Sequence, residues 1–175
     1  MSDLKGRRIA FLATNGYEPS ELYSPWDTVV QNGAEAVLVS SESGKISGSD
    51  HSQKVDLDVA EANAKDFDAL VLPGGTKNAD QLRMNSAAVE FTRAFFDANK
   101  PVASICHAAW MLAEADVLDD RNITSYPSLQ TDLRNAGATW ADEELVVDGN
   151  LITSRSPKDL PAFNEAIVNK LVEEA

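Results

Sequence analysis

Residues 100–109 read KPVASICHAA, and this stretch decides the fold that the sequence predicts. The apolar run Val102–Ile105 is typical of a buried strand, and a helical pattern follows it. Cys106 stands at the junction, with the small residues Ser104 and Ala108 two positions away on either side. A nucleophile at a tight strand-to-helix turn needs small neighbours at these positions, because larger side chains would clash. The pattern therefore predicts a nucleophile elbow in an α/β fold.

The chemistry of Cys106 has two interpretations at this point. A thiol at a helix N-terminus feels the helix dipole and faces free N–H groups, and both favour the thiolate. A lone cysteine is more often a small, buried, apolar side chain. Its position alone leaves both interpretations open.

The supply of histidines limits the chemistry that Cys106 can perform. His107 directly follows the cysteine, and His51 lies in a loose polar loop, where we expect a solvated side chain. A conventional cysteine protease or glutaminase takes its base from a histidine far downstream of the nucleophile. Since the sequence has no histidine after His107, the base must be His107 itself, a carboxylate or a group from another subunit.

Strand and helix patterns alternate along the whole chain, which predicts a mostly parallel sheet covered by helices on both faces. In such folds, ligands bind beyond the carboxyl ends of the strands. The expected strands are Ile9–Ala13, Ala36–Val39, Ala69–Leu72 and Val102–Ile105, with a loop or hairpin at Ser40–Gln53 and a hairpin turn at Asp148-Gly149-Asn150. The first expected helix is kinked or interrupted and extends from Pro19 to Asn32-Gly33, with a second start at Ser24-Pro25. Further helices are expected at Ala87–Ala98, His107–Ala115 and Leu129–Asn135. A final helix carries the apolar stripe Leu160, Phe163, Ile167 and Leu171.

Two further strand ends bring groups to the same edge of the predicted sheet. Pro73-Gly74-Gly75 ends one strand with residues that accept positive φ, a geometry in which backbone N–H groups can hold an anion or oxyanion. Glu18 follows the first strand, and partial burial there would raise its pKa. It could then share a proton with a thiolate or act as a general base. We expect its neighbour Glu21 only to stabilise the helix N-terminus.

Composition excludes several classes of protein. A chain of 175 residues with 43% hydrophobic residues fits one globular domain, residues 1–175. The net charge of −13 disfavours nucleic acids and anionic membranes, and no apolar run reaches the roughly 18 residues of a membrane span. A zinc site, a dinucleotide fingerprint and a Walker loop are all missing from the sequence. We expect a cytoplasmic protein that needs neither metal nor cofactor.

Four stretches of the sequence together form a recognisable pattern. They are Asn15-Gly16-Tyr17-Glu18 with Glu21-Leu22, Phe67–Gly75, Lys100–His107 and Thr124-Ser125-Tyr126-Pro127. In order and spacing they resemble the ThiJ/PfpI superfamily, whose fold is like that of class I glutamine amidotransferases, and most closely its PfpI branch. The resemblance extends over nearly the whole chain, including the late hairpin.

This resemblance implies a flavodoxin-like three-layer α/β/α sandwich that assembles into a dimer or a trimer of dimers. It implies that Cys106 is the elbow nucleophile and His107 its partner. It also assigns Glu18 as the carboxyl that contacts the sulfur.

The resemblance also implies the groups that would surround a substrate. Backbone N–H groups near Gly75, with its neighbour Gly74, and near Ala108 would form the oxyanion site. Tyr126 would line the cleft, and Asp80 would reach the histidine of a neighbouring subunit.

Members of this superfamily are peptidases, glyoxalases that do not use glutathione, deglycases, chaperones and oxidative-stress proteins. An aldehyde is a better electrophile than an amide, so we expect a glyoxalase or deglycase that acts on small α-oxoaldehydes such as methylglyoxal. The alternatives are an oligomeric cysteine peptidase and a redox-sensing stress protein or holdase whose low-pKa thiolate is oxidised. Family members commonly have Gly-Pro after the histidine, where this chain has Ala108-Ala109-Trp110, so we expect Trp110 to narrow or reshape the pocket.

Overall fold

A seven-stranded sheet lies between two layers of helices in the computed structural model, which describes residues 3–174. The strands, in chain order, are β1 Arg8–Leu12, β2 Glu35–Ser40, β3 Lys45–Ser47, β4 Ser52–Lys54, β5 Leu57–Asp58, β6 Ala69–Leu72, β7 Val102–Ile105, β8 Asn122–Ile123, β9 Thr139–Trp140, β10 Val146–Asp148 and β11 Leu151–Ser154. The order across the large sheet is β10-β11-β7-β6-β1-β2-β5, and β10 pairs antiparallel to β11 while the other pairs are parallel. The pairs β3-β4 and β8-β9 form small separate sheets.

Helices cover both faces of the sheet, as the alternating pattern predicted. They are α1 Pro19–Gln31, α2 Thr76–Leu82, α3 Ser86–Asp97, α4 Ala109–Glu114, α5 Gln130–Asn135 and α6 Leu160–Glu173. Short 3-10 turns lie at Val59–Glu61, Ala64–Asp66, Cys106–Ala108, Pro127–Leu129 and Pro157–Asp159. Helices α1 and α6 pack on one face, and α3, α4 and α5 pack on the other.

Alternation of side chains along the strands divides the core into two layers. In β1, Ile9 and Phe11 face the layer under α1 and α6, whereas Ala10 and Leu12 face the opposite layer. All four side chains are fully buried. The predicted three-layer α/β/α sandwich is therefore confirmed.

The first helix differs from the sequence expectation. It runs without interruption from Pro19 to Gln31, so the second start expected at Ser24-Pro25 is wrong. Pro25 removes one backbone hydrogen bond, but its ring is buried, and the Thr28 hydroxyl donates to the Ser24 carbonyl at 2.9 Å. Tertiary packing thus carries the helix through the proline.

The residues after β7 also differ from the expectation. The predicted helix His107–Ala115 begins instead as a 3-10 turn, Cys106–Ala108, and becomes an α-helix from Ala109. Helix α2 was not predicted, because its seven residues carry no apolar stripe that the sequence could show.

Sheet order sets the position of the site. Strands β7, β6 and β1 are neighbours and run parallel, so their carboxyl ends meet at one edge. The residues that follow them are Cys106, Pro73-Gly74-Gly75 and Ala13-Thr14, and the last of these segments leads into α1. Three loops far apart in sequence therefore converge at one place.

Candidate active site

Cys106 occupies the sharp turn that the sequence predicted at the end of β7. Its φ is 65°, in the left-handed region that a non-glycine residue rarely adopts. Strain of this kind persists only where the surrounding structure holds it, and it is common at functional sites. Its small neighbours Ser104 and Ala108 are 1% and 3% exposed, which leaves no room there for larger side chains.

The buried carboxyl group beside the cysteine belongs to Glu21, whereas the sequence analysis had assigned this position to Glu18. Glu21 is fully buried and accepts a hydrogen bond from the Gly74 N–H at 2.9 Å, and it packs with the Cys106 Cβ against the same side of Gly74. Glu18 caps α1 instead, since its Oε2 accepts from the Ser20 N–H at 2.9 Å and from the Ser20 hydroxyl at 2.7 Å.

The start of α1 explains this exchange of roles. Because the helix begins at Pro19, residue 18 is the N-cap, and its side chain folds back on the first turn. Glu21 lies in the buried stripe of α1 with Pro25 and Val29, at spacings of four residues. That periodicity was present in the sequence and could have identified Glu21 as the buried acid.

Burial changes the protonation of both members of the Cys106–Glu21 pair. Burial, and to a smaller extent the charge of Glu18, raises the pKa of Glu21 to about 8. Burial and the adjacent Glu21 carboxylate raise the pKa of the Cys106 thiol to about 12, although the nearby backbone N–H groups of His107 and Gly75 act in the opposite direction. Burial therefore opposes the thiolate that the helix N-terminus would favour, and the pair carries at most one negative charge near neutral pH.

The imidazole of His107 lies beside the thiol and can act as its base. Its Nδ1 lies 3.3 Å from the Cys106 sulfur, and burial lowers its pKa below the ordinary 6.5. The ring stacks on Tyr126 with centroids 4.7 Å apart and meets the edge of Trp110 at 5.3 Å. A neutral imidazole held in this way can accept a proton from the sulfur.

Trp110 does not narrow the pocket as the sequence had suggested. It lies outside the pocket wall, and its indole N–H donates to Asp132 at 3.0 Å. The Arg83 guanidinium lies 5.6 Å from its ring. The helical turn that starts at Cys106 points Trp110 away from the sulfur, so its contact with the site is through the ring of His107.

Asn78 fixes the turn after β6 and was missed by sequence reasoning. Its side chain, 1% exposed, accepts from the Thr14 N–H at 2.7 Å and donates to the carbonyls of Pro73 and Gly74, both at 3.0 Å. It therefore ties the β1 end to the Pro73-Gly74-Gly75 turn. Nothing in the local sequence distinguishes it from other polar residues of a short helix.

A pocket with a volume of about 790 Å³ opens over the sulfur. Of the residues expected there, the wall includes Glu18, Gly75, Cys106, His107 and Tyr126. Gly74 and Ala108 are buried and do not line it.

The structure also shows the surroundings of Asp80 and His51. Asp80 is exposed on α2, outside the pocket, so its expected contact with a neighbouring subunit's histidine stays a prediction. His51 is partly buried rather than solvated, and its Nδ1 lies 2.6 Å from the hydroxyl of Tyr17, a pocket residue.

Within residues 3–174, no cluster of three His, Cys, Asp or Glu could hold a metal, and no helix is long and apolar enough to cross a bilayer.

Replacing Gly74 by alanine is expected to damage the site more than its size suggests. A Cβ at Gly74 would overlap Glu21 Oε1 and lie 2.7 Å from the Cys106 Cβ and 2.9 Å from the Ile105 carbonyl. Overpacking of this kind costs about 1–3 kcal/mol of stability. Thermal unfolding should show a lower Tm, and turnover should fall because the carboxyl and the sulfur are pushed apart.

Gly44→Ala is the matched control for this substitution. Gly44 has a φ of +80°, and a Cβ there would have no atom within 4 Å. Strain alone should lower its Tm slightly and leave turnover unchanged. If Gly74→Ala behaves in the same way, the close packing of Gly74 between Glu21 and Cys106 does not matter.

The fold and these contacts define a class of α/β proteins in which a cysteine elbow is paired with one buried acid and one histidine. The family model described as DJ-1/PfpI family matches residues 7–170, and the chain belongs to this family. It is 44% identical over 165 residues to a deglycase of Pyrococcus horikoshii, covering 94% of this chain and 99% of the relative.

Two further comparisons agree with this assignment. A Bacillus subtilis protein named as a candidate cysteine protease is 41% identical, and the match covers 94% of this chain and 98% of the relative. A crystal structure of a two-domain protein from Anabaena variabilis, with DJ-1/ThiJ/PfpI-like and ferritin-like domains, superposes with a TM-score of 0.92 at 38% identity. That match covers 94% of this chain and 48% of the Anabaena chain.

Proposed function

We propose that this protein is a glyoxalase or deglycase that needs no cofactor and acts on small α-oxoaldehydes such as methylglyoxal, or on their adducts. The observation that carries the proposal is the pair of groups on the Cys106 sulfur. Glu21, with a pKa of about 8, is an acid at neutral pH, and His107, with a lowered pKa, is a base. Titratable groups whose pKa values are pushed apart in this way are suited to acid and base roles.

The first step forms a carbon–sulfur bond. His107 Nδ1 takes the thiol proton, and the sulfur electron pair attacks the aldehyde carbon of the substrate. The Gly75 N–H, in the same pocket wall as the sulfur, is the donor that we expect for the developing oxyanion. Return of the proton from His107 to the oxygen gives a neutral hemithioacetal.

The second step moves hydrogen between the two carbons. His107 removes the proton from the former aldehyde carbon while the Glu21 carboxyl protonates the neighbouring ketone oxygen, which gives an enediol. His107 then gives its proton to the second carbon while the hydroxyl proton on the former aldehyde carbon passes to the Glu21 carboxylate, which gives a lactate thioester on Cys106 and restores both groups. Water cleaves this thioester, releasing lactate and restoring the thiol, so the overall reaction is methylglyoxal plus water to lactate.

An adduct between an oxoaldehyde and an amine enters the same sequence. The sulfur bonds to the adduct carbon, the carbon–nitrogen bond breaks, and the amine leaves with a proton from the site. The relatives named deglycases support this extension. The proposal includes a homo-oligomer in the cytoplasm. It includes no nucleic acid or membrane partner, and the net charge of −13 supports this part of it.

The other candidate functions have less support from the site. Peptide hydrolysis would require an acid on His107, and the residue suggested by the sequence, Asp80, could supply it only from a neighbouring subunit. Redox sensing needs an exposed thiolate, whereas Cys106 is 8% exposed and its thiol pKa is raised. We therefore retain both only as outcomes of the test.

The test is lactate formation from methylglyoxal, without glutathione or added metal. We expect turnover with a bell-shaped pH dependence of kcat/KM. As the pH increases, kcat/KM should first rise, with a midpoint below pH 6.5, because His107 loses its proton. It should then fall near pH 8, because Glu21 ionises. Chiral lactate analysis over this range measures both limbs. A folded protein that makes no lactate at any pH would contradict the proposal and favour peptide cleavage or peroxide oxidation as the next assays.

A further inference from the structure

A pair of side chains joins the β3–β4 hairpin to the loop that precedes α1. The Tyr17 hydroxyl lies 2.6 Å from His51 Nδ1 and donates to the His51 carbonyl at 3.2 Å. The same carbonyl accepts from the Gly48 N–H at 2.8 Å, which closes the hairpin tip, residues 48–51. The proposed reaction uses neither Tyr17 nor His51, so their contact needs a separate explanation.

The contact between Tyr17 and His51 satisfies both polar groups in one arrangement of hydrogens. A tyrosine hydroxyl has a single hydrogen, and here it points to the His51 carbonyl. His51 Nδ1 therefore carries the imidazole hydrogen and donates it to the Tyr17 oxygen. Tyr17 is 2% exposed, and burial raises its pKa, so the hydroxyl stays a neutral donor.

Apolar packing does not hold the hairpin tip. Ile46 is fully buried and fixes the first strand, but none of residues 47–54 is buried. A Cβ added to Gly48 would lie 2.8 Å from the Tyr17 carbonyl and 2.9 Å from the Pro19 ring, so the tip rests directly on the loop before α1. Hydrogen bonds, including the two from the Tyr17 hydroxyl, therefore hold the tip in this position.

The hairpin forms part of the pocket that contains the sulfur. Residues 47–49, the hairpin wall, line this pocket together with Cys106. Ser47 is fixed by two bonds of 2.9 Å, one from the Gly16 N–H to its carbonyl and one from its own N–H to the Asn15 side chain. Pockets of roughly 300–1,000 Å³ hold drug-sized ligands. The volume of about 790 Å³ thus leaves room for a substituent much larger than the methyl group of methylglyoxal.

We propose that the Tyr17–His51 pair is a clamp that holds the hairpin wall in place, and that this wall binds the part of an α-oxoaldehyde or adduct beyond its reacting carbons. The inference rests on the proposed function. Both residues act through the wall and are positioning residues. A wall that is ordered before binding costs no ordering free energy when the substrate arrives, which lowers KM for large substituents. Methylglyoxal has only a methyl group to place there and gains less.

The experiment compares methylglyoxal with phenylglyoxal, in which a phenyl ring replaces the methyl group, in the wild type and in Tyr17→Phe. Lactate and mandelate are the respective products. We expect the kcat/KM for phenylglyoxal, relative to that for methylglyoxal, to fall roughly 5- to 30-fold, because the variant loses both hydrogen bonds of the hydroxyl. The fall should be mainly in KM. A general loss of structure would instead lower the values for the two substrates equally.

Tyr23→Phe is the matched control. Tyr23 is 44% exposed, and its ring lies 5.7 Å from that of His51, but its hydroxyl is not part of the clamp. The substrate ratio of this variant should equal that of the wild type. His51→Ala should lower the ratio, whereas His51→Asn keeps a short side chain with an N–H donor and should retain most of it.

Hydrogen exchange followed by mass spectrometry tests the clamp without turnover. The amides of residues 45–54 should exchange faster in Tyr17→Phe than in the wild type, and at the wild-type rate in Tyr23→Phe. Equal exchange in Tyr17→Phe and the wild type would overturn the clamp, and an unchanged substrate ratio would overturn its role in binding. If the wild type converts neither substrate but the hairpin exchanges faster in Tyr17→Phe, the proposed function fails while the clamp stands.

Discussion

Cys106→Ser is expected to reduce lactate formation by a factor on the order of 10³ or more, the largest effect of any single substitution in this chain. The sulfur is the atom on which His107, Glu21 and the Gly75 N–H converge. A serine hydroxyl is a poorer nucleophile and loses its proton far less readily than a thiol. The stability of the protein should change little, because the two side chains differ by one atom.

Two measurements separate loss of chemistry from loss of structure. Thermal unfolding should give Cys106→Ser a Tm close to that of the wild type. Intact mass after brief exposure to methylglyoxal should show an adduct on the wild type that is absent from the variant. Turnover that survives in Cys106→Ser at the wild-type rate would remove the sulfur from the mechanism.

Glu21→Gln is expected to lower activity and raise stability together. Loss of the acid that protonates the substrate oxygen should reduce kcat roughly 10²- to 10⁴-fold, the usual contribution of a general acid. Glutamine keeps an oxygen for the Gly74 N–H and removes a carboxyl whose Oε2 is buried without a hydrogen-bond partner among the described residues. The variant should therefore unfold at a higher temperature near neutral pH.

The sign of the stability change follows from the raised pKa of Glu21. Between its ordinary value of 4.5 and about 8, the folded protein binds one more proton than the unfolded chain, so stability falls as pH rises through this window. At pH 7 this loss is at most about 3 kcal/mol. Glu21→Gln should avoid it, so the Tm difference between variant and wild type should grow with pH up to about 8.

Glu18→Gln is the matched control, since it changes the carboxyl that the sequence had favoured. Glu18 is the N-cap of α1, and weakening a cap typically costs about 1 kcal/mol. We expect a small fall in Tm and activity within a few-fold of the wild type. If Glu18→Gln loses activity while Glu21→Gln keeps it, the assignment of the acid to Glu21 is wrong.

Most elements of the fold could be predicted because their patterns are local. The all-apolar runs of β6 and β7, the stripe Leu160, Phe163, Ile167 and Leu171, and the Asp148-Gly149-Asn150 turn appear where periodicity and turn chemistry placed them. The missed helix α2 and the wrongly expected break at Ser24-Pro25 are places where packing, rather than local preference, decides the structure.

The sequence by itself determined the three-layer α/β/α architecture, the position of the elbow at Cys106 and the lack of any histidine after His107 that could serve as the base. These properties depend on the order of apolar, small and glycine residues along the chain, which local physics converts into strands, helices and turns. Only the tertiary structure decided which glutamate meets the sulfur. It also decided that burial raises the thiol pKa, that Trp110 points away from the pocket, and that Tyr17 reaches His51. The direction of a side chain, its burial and its hydrogen-bond partners are set by contacts between distant segments of the chain. The local pattern of residues in the sequence does not contain this information.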